Sequence, residues 1–186
     1  MAFEWIGDIN YLHEEPKLGK HRSRGLGNTS IDFAIHVRTS TSKIQMILGE
    51  WKYVESYPRV NIRRRSDGSD RYSVYALLQE DLDSPILMSK LNEIDDIFYE
   101  PIYQAVRHVL MAQEIRKHHT EIDEVVALHM RSERNRLLLE NPSPGLIQGE
   151  TVYDDIRAII RTRGCCWMWG MRIWLVPLID MSNQKL

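Results

Sequence analysis

The sequence predicts an α/β fold, a mixed β-sheet flanked by helices. Three observations predict it. Two strand-like stretches, Ile31 to Val37 and Lys43 to Tyr57, are separated by a short polar link, Arg38-Thr39-Ser40-Thr41-Ser42. The longest stretch with helical spacing, Asn92 to His119, is followed directly by a short apolar run, Val125 to Met130. A second amphipathic stretch, Thr151 to Arg163, comes later and stops at Gly164. The order is therefore hairpin, helix, strand, helix, which packs as helices on a mixed sheet.

The hairpin organises the chain. Side chains alternate faces along a strand. Ile44, Met46, Leu48, Glu50, Lys52 and Val54 fall on one face, and Ile47, Gly49, Trp51, Tyr53 and Glu55 on the other. Glu50 and Lys52 are then neighbours in mostly apolar surroundings, where charges are rare unless paired or bound to a metal. In the preceding strand Asp32 faces away from Ile31, Phe33, Ile35 and Val37. The link is short enough for an antiparallel hairpin. If Arg38 pairs with Ile44, Asp32 falls opposite Glu50, and directly opposed residues have Cβ atoms roughly 5 Å apart. Two carboxylates at that separation with an ammonium beside them can share a divalent cation. From Asp32, Glu50 and Lys52 alone, a buried cluster that merely fixes strand register is the simpler reading.

Longer phrases argue for more. Asp32 followed by Glu50-Trp51-Lys52 after a hairpin resembles the PD-(D/E)XK nuclease superfamily, the restriction-endonuclease-like fold. Gly49-Glu50-Trp51-Lys52-Tyr53-Val54-Glu55-Ser56-Tyr57 and Phe98-Tyr99-Glu100-Pro101-Ile102-Tyr103-Gln104 are similar to a bacterial restriction endonuclease group, with the likeness running from about His21 to about Arg163. The resemblance implies a metal-dependent endodeoxyribonuclease that hydrolyses DNA phosphodiester bonds, restriction-type in its group. It implies Asp32, Glu50 and Lys52 as catalytic residues. Asp32, Glu50 and the backbone carbonyl of Trp51 would be ligands of Mg²⁺ or Mn²⁺. It also implies a helix and another strand ahead of Asp32, with an extra acidic residue, for which Glu14 and Glu15 are the candidates. The resemblance also implies that the helix after the hairpin packs behind the sheet, which would place Tyr103, Gln104 and Arg107 to reach the site; the bland reading of each is a satisfied structural polar group.

Composition bounds the rest. At 186 residues with 43% hydrophobic content, the chain makes one domain with a buried core. We place the core at about 25 to 164 and an apolar tail at 165 to 186. Net charge of −2 offers no global reason to bind nucleic acid, so DNA contact must come from local basic patches. One is Arg63-Arg64-Arg65, in a turn with Asp67-Gly68 at its tip. Another is the loop carrying Lys17, Lys20, His21, Arg22 and Arg24; a solvated loop is the competing reading of both. The two cysteines, Cys165 and Cys166, are adjacent, which points away from a disulfide-stapled secreted fold and towards the cytoplasm, as does the polar start after Phe3-Glu4-Trp5.

The remaining elements follow from local signals. Trp5 to Leu12 fits a short strand or a helical turn, and Tyr72 to Gln79 fits either helix or strand. Pro58 ends the long strand. Pro101 sits in the first turn of the main helix, which begins near Glu100. Arg116 to His119 close that helix, and the adjacent His118 and His119 suit a helix end better than a metal site. Asn141 to Gly145 is a loop. Cys165 to Met181 is apolar but interrupted by Gly170, Arg172 and Pro177, and falls short of the roughly 20 residues that span a membrane. We expect one or two core or edge strands there, with a homodimer surface as the second reading. The competing functional class is a catalytically inactive nuclease-fold module for nucleic-acid binding or assembly.

Overall fold

The computed structural model describes residues 1–14, 22, 28–52, 54–80, 83–132, 135, 151–161 and 171–178, with backbone alone for 77–80, 131 and 171–178. Five strands form one sheet in the order β1 (Ala2–Trp5), β2 (Ile31–Arg38), β3 (Ile44–Lys52), β4 (Glu124–Ser132), β5 (Met171–Leu178). The first three are antiparallel to one another, and β4 and β5 run parallel to β3. The sheet is therefore mixed, and helices α1 (Arg71–Glu80), α2 (Ile102–His118) and α3 (Val152–Ile159) join its strands. This is the restriction-endonuclease-like α/β arrangement expected from the sequence. Among the described residues no helix is long and apolar enough to cross a membrane.

The hairpin has the predicted register, with Arg38 opposite Ile44 and Phe33 opposite Gly49. Its turn is closed by Thr39, whose N–H donates to the Lys43 carbonyl at 2.9 Å and whose Oγ1 accepts the Lys43 N–H at 3.1 Å. Ser42 takes the left-handed conformation, with φ 62°, that lets the chain reverse. The long strand stops at Lys52 rather than reaching Tyr57. In this register Trp51 is opposite Ile31, the first residue of β2, so beyond it β3 has no antiparallel neighbour.

The two faces of β3 divide as the alternation predicts. Met46, Leu48, Glu50 and Lys52 are buried, whereas Trp51 on the opposite face is 46% exposed. Across the parallel pair, Met46, Leu48 and Glu50 meet Val125, Ala127 and His129. That face receives α2, and with it the main core of Ile102, Val106, Val109, Leu110 and Ile115. On the outer face Gly49 is required. The Phe33 ring lies over it so closely that a Cβ there would stand 1.9 Å from the ring carbon Cζ.

The other elements sharpen the sequence expectations. The ambiguous stretch at Tyr72 is α1, whereas the N-terminal strand β1 ends at Trp5, so the expected Trp5 to Leu12 stretch is neither strand nor helix beyond its first residue. The long helical signal from Asn92 is split: a 3₁₀ turn spans Ile94–Phe98, and α2 proper starts at Ile102, after a cis Glu100–Pro101 bond. Helix α3 begins at a capping box in which Thr151 Oγ1 accepts from the Asp154 N–H. Part of the apolar tail is β5, beside β4. The predicted loop at Asn141 to Gly145, the residues Lys17, Lys20, His21 and Arg24, and Cys165 and Cys166 lie outside the described residues.

The close approach of Phe33 to Gly49 yields a stability prediction. Gly49→Ala should destabilise the fold by about 1–3 kcal/mol or more, the range for overpacking, and Phe33→Ala in the same chain should recover part of the loss. Urea denaturation of the single and double variants reads this, and an unchanged midpoint for Gly49→Ala would contradict it.

Candidate active site

Glu50 and Lys52 sit side by side on the inner face of β3, at 5% and 3% exposure. The Lys52 ammonium donates to Glu50 Oε1 at 2.7 Å. The side-chain amide of Gln104, from the first turns of α2, donates to the same oxygen at 2.7 Å. Oε2 is also buried, yet it has no hydrogen-bond partner among the described residues. Burial raises the Glu50 carboxyl above its usual range, with the Asp32 charge adding to the rise and Lys52 opposing it. Burial acts to lower the Lys52 ammonium, but the Glu50 carboxylate and Tyr57 outweigh it, so its pKa is raised and it stays charged. Tyr57 completes the lysine's surroundings, with Nζ 5.8 Å from its ring centroid.

Asp32 stands on the neighbouring strand. Continuing the hairpin register puts it opposite Glu50. Its Oδ2 accepts the Trp51 backbone N–H at 2.8 Å, which ties the aspartate to the peptide between Glu50 and Lys52. The structure thus brings Asp32, Glu50, Trp51 and Lys52 to one place. Among the described residues no group of three or more His, Cys, Asp or Glu side chains is arranged as a metal cluster. The expected ligand set is of a different kind, two carboxylates and one backbone carbonyl.

Arg63, Arg64 and Arg65 lie in the turn before α1 and differ from one another. Arg63 is engaged internally, with Nη2 3.0 Å from Asp70 Oδ2 and Nη1 2.5 Å from Asp95 Oδ1. Arg64 has an exposed side chain whose nearest carboxylate, Asp70, is 3.9 Å away. Arg65 uses its backbone N–H to close the turn on the Ser69 carbonyl. In the N-terminal basic loop, Arg22 is directed at the backbone carbonyls of Ile6 and Gly7.

Of the acidic residues considered ahead of Asp32, Glu14 is described and is committed elsewhere. Its carboxylate accepts from the Thr29 N–H, from Thr29 Oγ1 at 2.7 Å and from the Tyr75 hydroxyl at 2.6 Å, with Arg107 Nε 3.8 Å away. Arg107 also donates to Thr29 Oγ1 at 2.8 Å, and the Tyr103 hydroxyl meets that of Tyr75 at 3.2 Å. Tyr103 and Arg107 therefore anchor the segment before β2, while Gln104 reaches the site itself. His119, at the end of α2, accepts or donates at 2.6 Å with the Tyr11 hydroxyl, in keeping with a helix-end role.

Three further residues border the site. Glu100 is raised by burial, against the pull of Arg107, the Gln104 backbone N–H, Lys52 and Arg71. The other two are His108 and His129, whose Nδ1 and Nε2 are 3.1 Å apart beneath Glu50. His129 is the β4 residue in register with Glu50, and His108 is one turn beyond Gln104 on α2. His129 stands alone in an apolar run and His108 follows Arg107 in the helix, so only the helix-on-sheet packing unites them.

A family model described as restriction endonuclease associating with ARP matches residues 1–162. The chain belongs to this family. Comparison with curated proteins and with solved structures returned no match. Membership in this restriction-endonuclease-like family agrees with the hairpin that carries Asp32, Glu50 and Lys52, and makes a nuclease-like function the coarse reading of the site.

The buried histidines make stability depend on pH. Burial, and after it the Lys52 charge, pushes His129 down to about 3. An unfolded histidine titrates near 6.5. As pH falls below about 6.5 the unfolded chain binds protons that the folded chain refuses, so stability present above that pH is lost towards about pH 3, at up to about 1.4 kcal/mol per pH unit for each such proton. Denaturation series between about pH 7 and pH 4 should show a shallower decline for His129→Gln than for the wild type; parallel declines would refute the assignment.

Proposed function

We propose that this protein is a metal-dependent endodeoxyribonuclease that hydrolyses phosphodiester bonds in DNA, of the restriction type. The observation that carries the reading is Glu50 Oε2, a buried carboxylate oxygen with no hydrogen-bond partner among the described residues, on the strand beside Asp32. Buried polar atoms are rarely left unsatisfied. This one suits a divalent cation, because the groups that this site brings together, the Asp32 and Glu50 carboxylates and the Trp51 carbonyl, are hard oxygen donors of the kind Mg²⁺ or Mn²⁺ takes. Asp32, Glu50 and the Trp51 carbonyl would hold the ion. When bound, such an ion polarises a phosphoryl oxygen and lowers the pKa of an attacking water.

The chain's own residues supply the rest. Lys52 stays protonated beside Glu50, so it acts as a fixed positive charge and not as a base. It is suited to orient the attacking water and to stabilise negative charge that develops on the phosphate. Gln104 holds Glu50 Oε1 and leaves Oε2 open. The Trp51 N–H holds Asp32 in place. A second reading, an inactive nuclease-fold module, is favoured by the same Oε1, since Lys52 and Gln104 already satisfy it without any metal.

Lys52→Ala separates the two. As a nuclease residue, its loss should abolish plasmid cleavage in Mg²⁺ or Mn²⁺ while the folded variant still binds metal. As half of a purely structural pair, its loss leaves a buried carboxylate uncompensated, at a cost of about 3–5 kcal/mol. Wild-type protein that neither binds Mn²⁺ nor cuts DNA, beside a strongly destabilised Lys52→Ala, would establish the inactive module.

The arginine turn has its own test. Arg64→Ala with Arg65→Ala should reduce the salt slope of DNA binding by about one unit for each phosphate left without its arginine. Arg63→Ala should chiefly lower the melting temperature, because Asp70 and Asp95 lose their shared partner. A salt slope untouched by the double change would show a turn that is merely solvated.

A further inference from the structure

We propose that His108 is a positioning residue for the Glu50 carboxylate, acting as a neutral Nε2–H donor whose tautomer is set by His129. This rests on the reading of Glu50 as a metal ligand and adds the element that aims it. The geometry starts from two buried atoms. His108 Nε2 and Glu50 Oε2 face each other at 3.9 Å, and neither has a well-formed hydrogen bond among the described residues. An ionised carboxylate offers only lone pairs, and a neutral imidazole offers one donor and one acceptor. If the His108 proton were on Nδ1, two acceptors would face each other in a buried space. With the proton on Nε2, a donor faces an acceptor. The separation exceeds a direct hydrogen bond, and a small rotation of either group, or one bridging water, closes it.

The other ring nitrogen supports this tautomer. His108 Nδ1 lies 3.1 Å from His129 Nε2, and one proton must lie between them. With His108 protonated on Nε2, its Nδ1 accepts and His129 Nε2–H donates. Burial keeps His108 neutral, reinforced by His129, Arg107 and Lys52, while the Ser30 backbone makes the weakest contribution and acts in the opposite direction. Ser30 leads into β2, Glu50 is on β3 and His129 on β4, so the imidazole on α2 stands among β3, β4 and the residue that enters β2.

The helix supplies both halves of the clamp. Gln104 holds Oε1, and His108, one turn later, is directed at Oε2. Two donors one helical turn apart share a face, and together they fix the plane of the carboxylate. Partners of this kind, behind a metal ligand, alter metal affinity by about 10–100-fold when removed.

The test uses the full chain and two variants. His108→Leu removes the donor, and His108→Gln returns an N–H near the Nε2 position. In calorimetry with Mn²⁺ alone, His108→Leu should bind about 10–100-fold more weakly than wild type, and His108→Gln should recover most of that loss. A merely structural histidine would lower the melting temperature in both variants and leave the Mn²⁺ affinity of folded protein unchanged, which would overturn the proposal. Nitrogen-15 NMR of metal-free wild type is independent of any variant that fails to fold. It should find both His108 and His129 protonated on Nε2, and a His108 proton on Nδ1 would overturn the proposal. If wild type binds no Mn²⁺, the nuclease reading fails by itself and the NMR tautomer decides the positioning role.

Discussion

A carboxylate in the middle of a sheet, at 5% exposure, must be compensated or it cannot stay ionised. Glu50 imposes that requirement on everything around it. Lys52, two residues on along the same face, supplies the countercharge. Gln104 and His108 come from the helix laid across that face, and His129 from the next strand. The compensation is lopsided. One carboxylate oxygen takes two strong hydrogen bonds, and the other takes none among the described residues. That asymmetry separates a site from a sealed structural ion pair.

Helix α2 can play this part because the chain ahead of β2 is locked to it as well. Tyr103 and Arg107, one turn apart, engage Tyr75, Thr29 and Glu14, whereas Gln104 and His108, displaced by one residue, face Glu50. The helix thus carries two adjacent polar rows on its inner surface. One row sets the position of the segment leading to Asp32, and the other sets Glu50. The two carboxylates are located by the same rigid element even though they lie on different strands. On the outer face, the Phe33 ring seated on Gly49 holds β2 against β3 and so protects the register on which the pairing depends.

Much of this was legible in the residues, for identifiable reasons. A five-residue polar link and a two-residue side-chain period leave few registers for the hairpin, and the observed one pairs Arg38 with Ile44 as expected. Burial of Glu50 and Lys52 followed from alternation. The length of β3 did not, because a strand ends where its partners end, and the start of β2 at Ile31 is not marked in β3 itself. The His108–His129 contact spans 21 residues and joins two isolated histidines, so no local spacing announces it. Arg63 resembled its two neighbours in sequence, and its engagement depends on Asp70 and Asp95, which the fold brings in from 7 and 32 residues away. Glu14 attracted notice as a spare acid, yet four polar groups surround it before any ion could.

The central claim is that the open oxygen of Glu50 and the carboxylate of Asp32 share one divalent ion. The most direct measurement is anomalous diffraction from crystals of the full chain soaked in Mn²⁺. The account predicts a single strong peak between Asp32 and Glu50, within ligand distance of the Trp51 carbonyl. A peak elsewhere, or none at Mn²⁺ concentrations that saturate ordinary carboxylate sites, would contradict it.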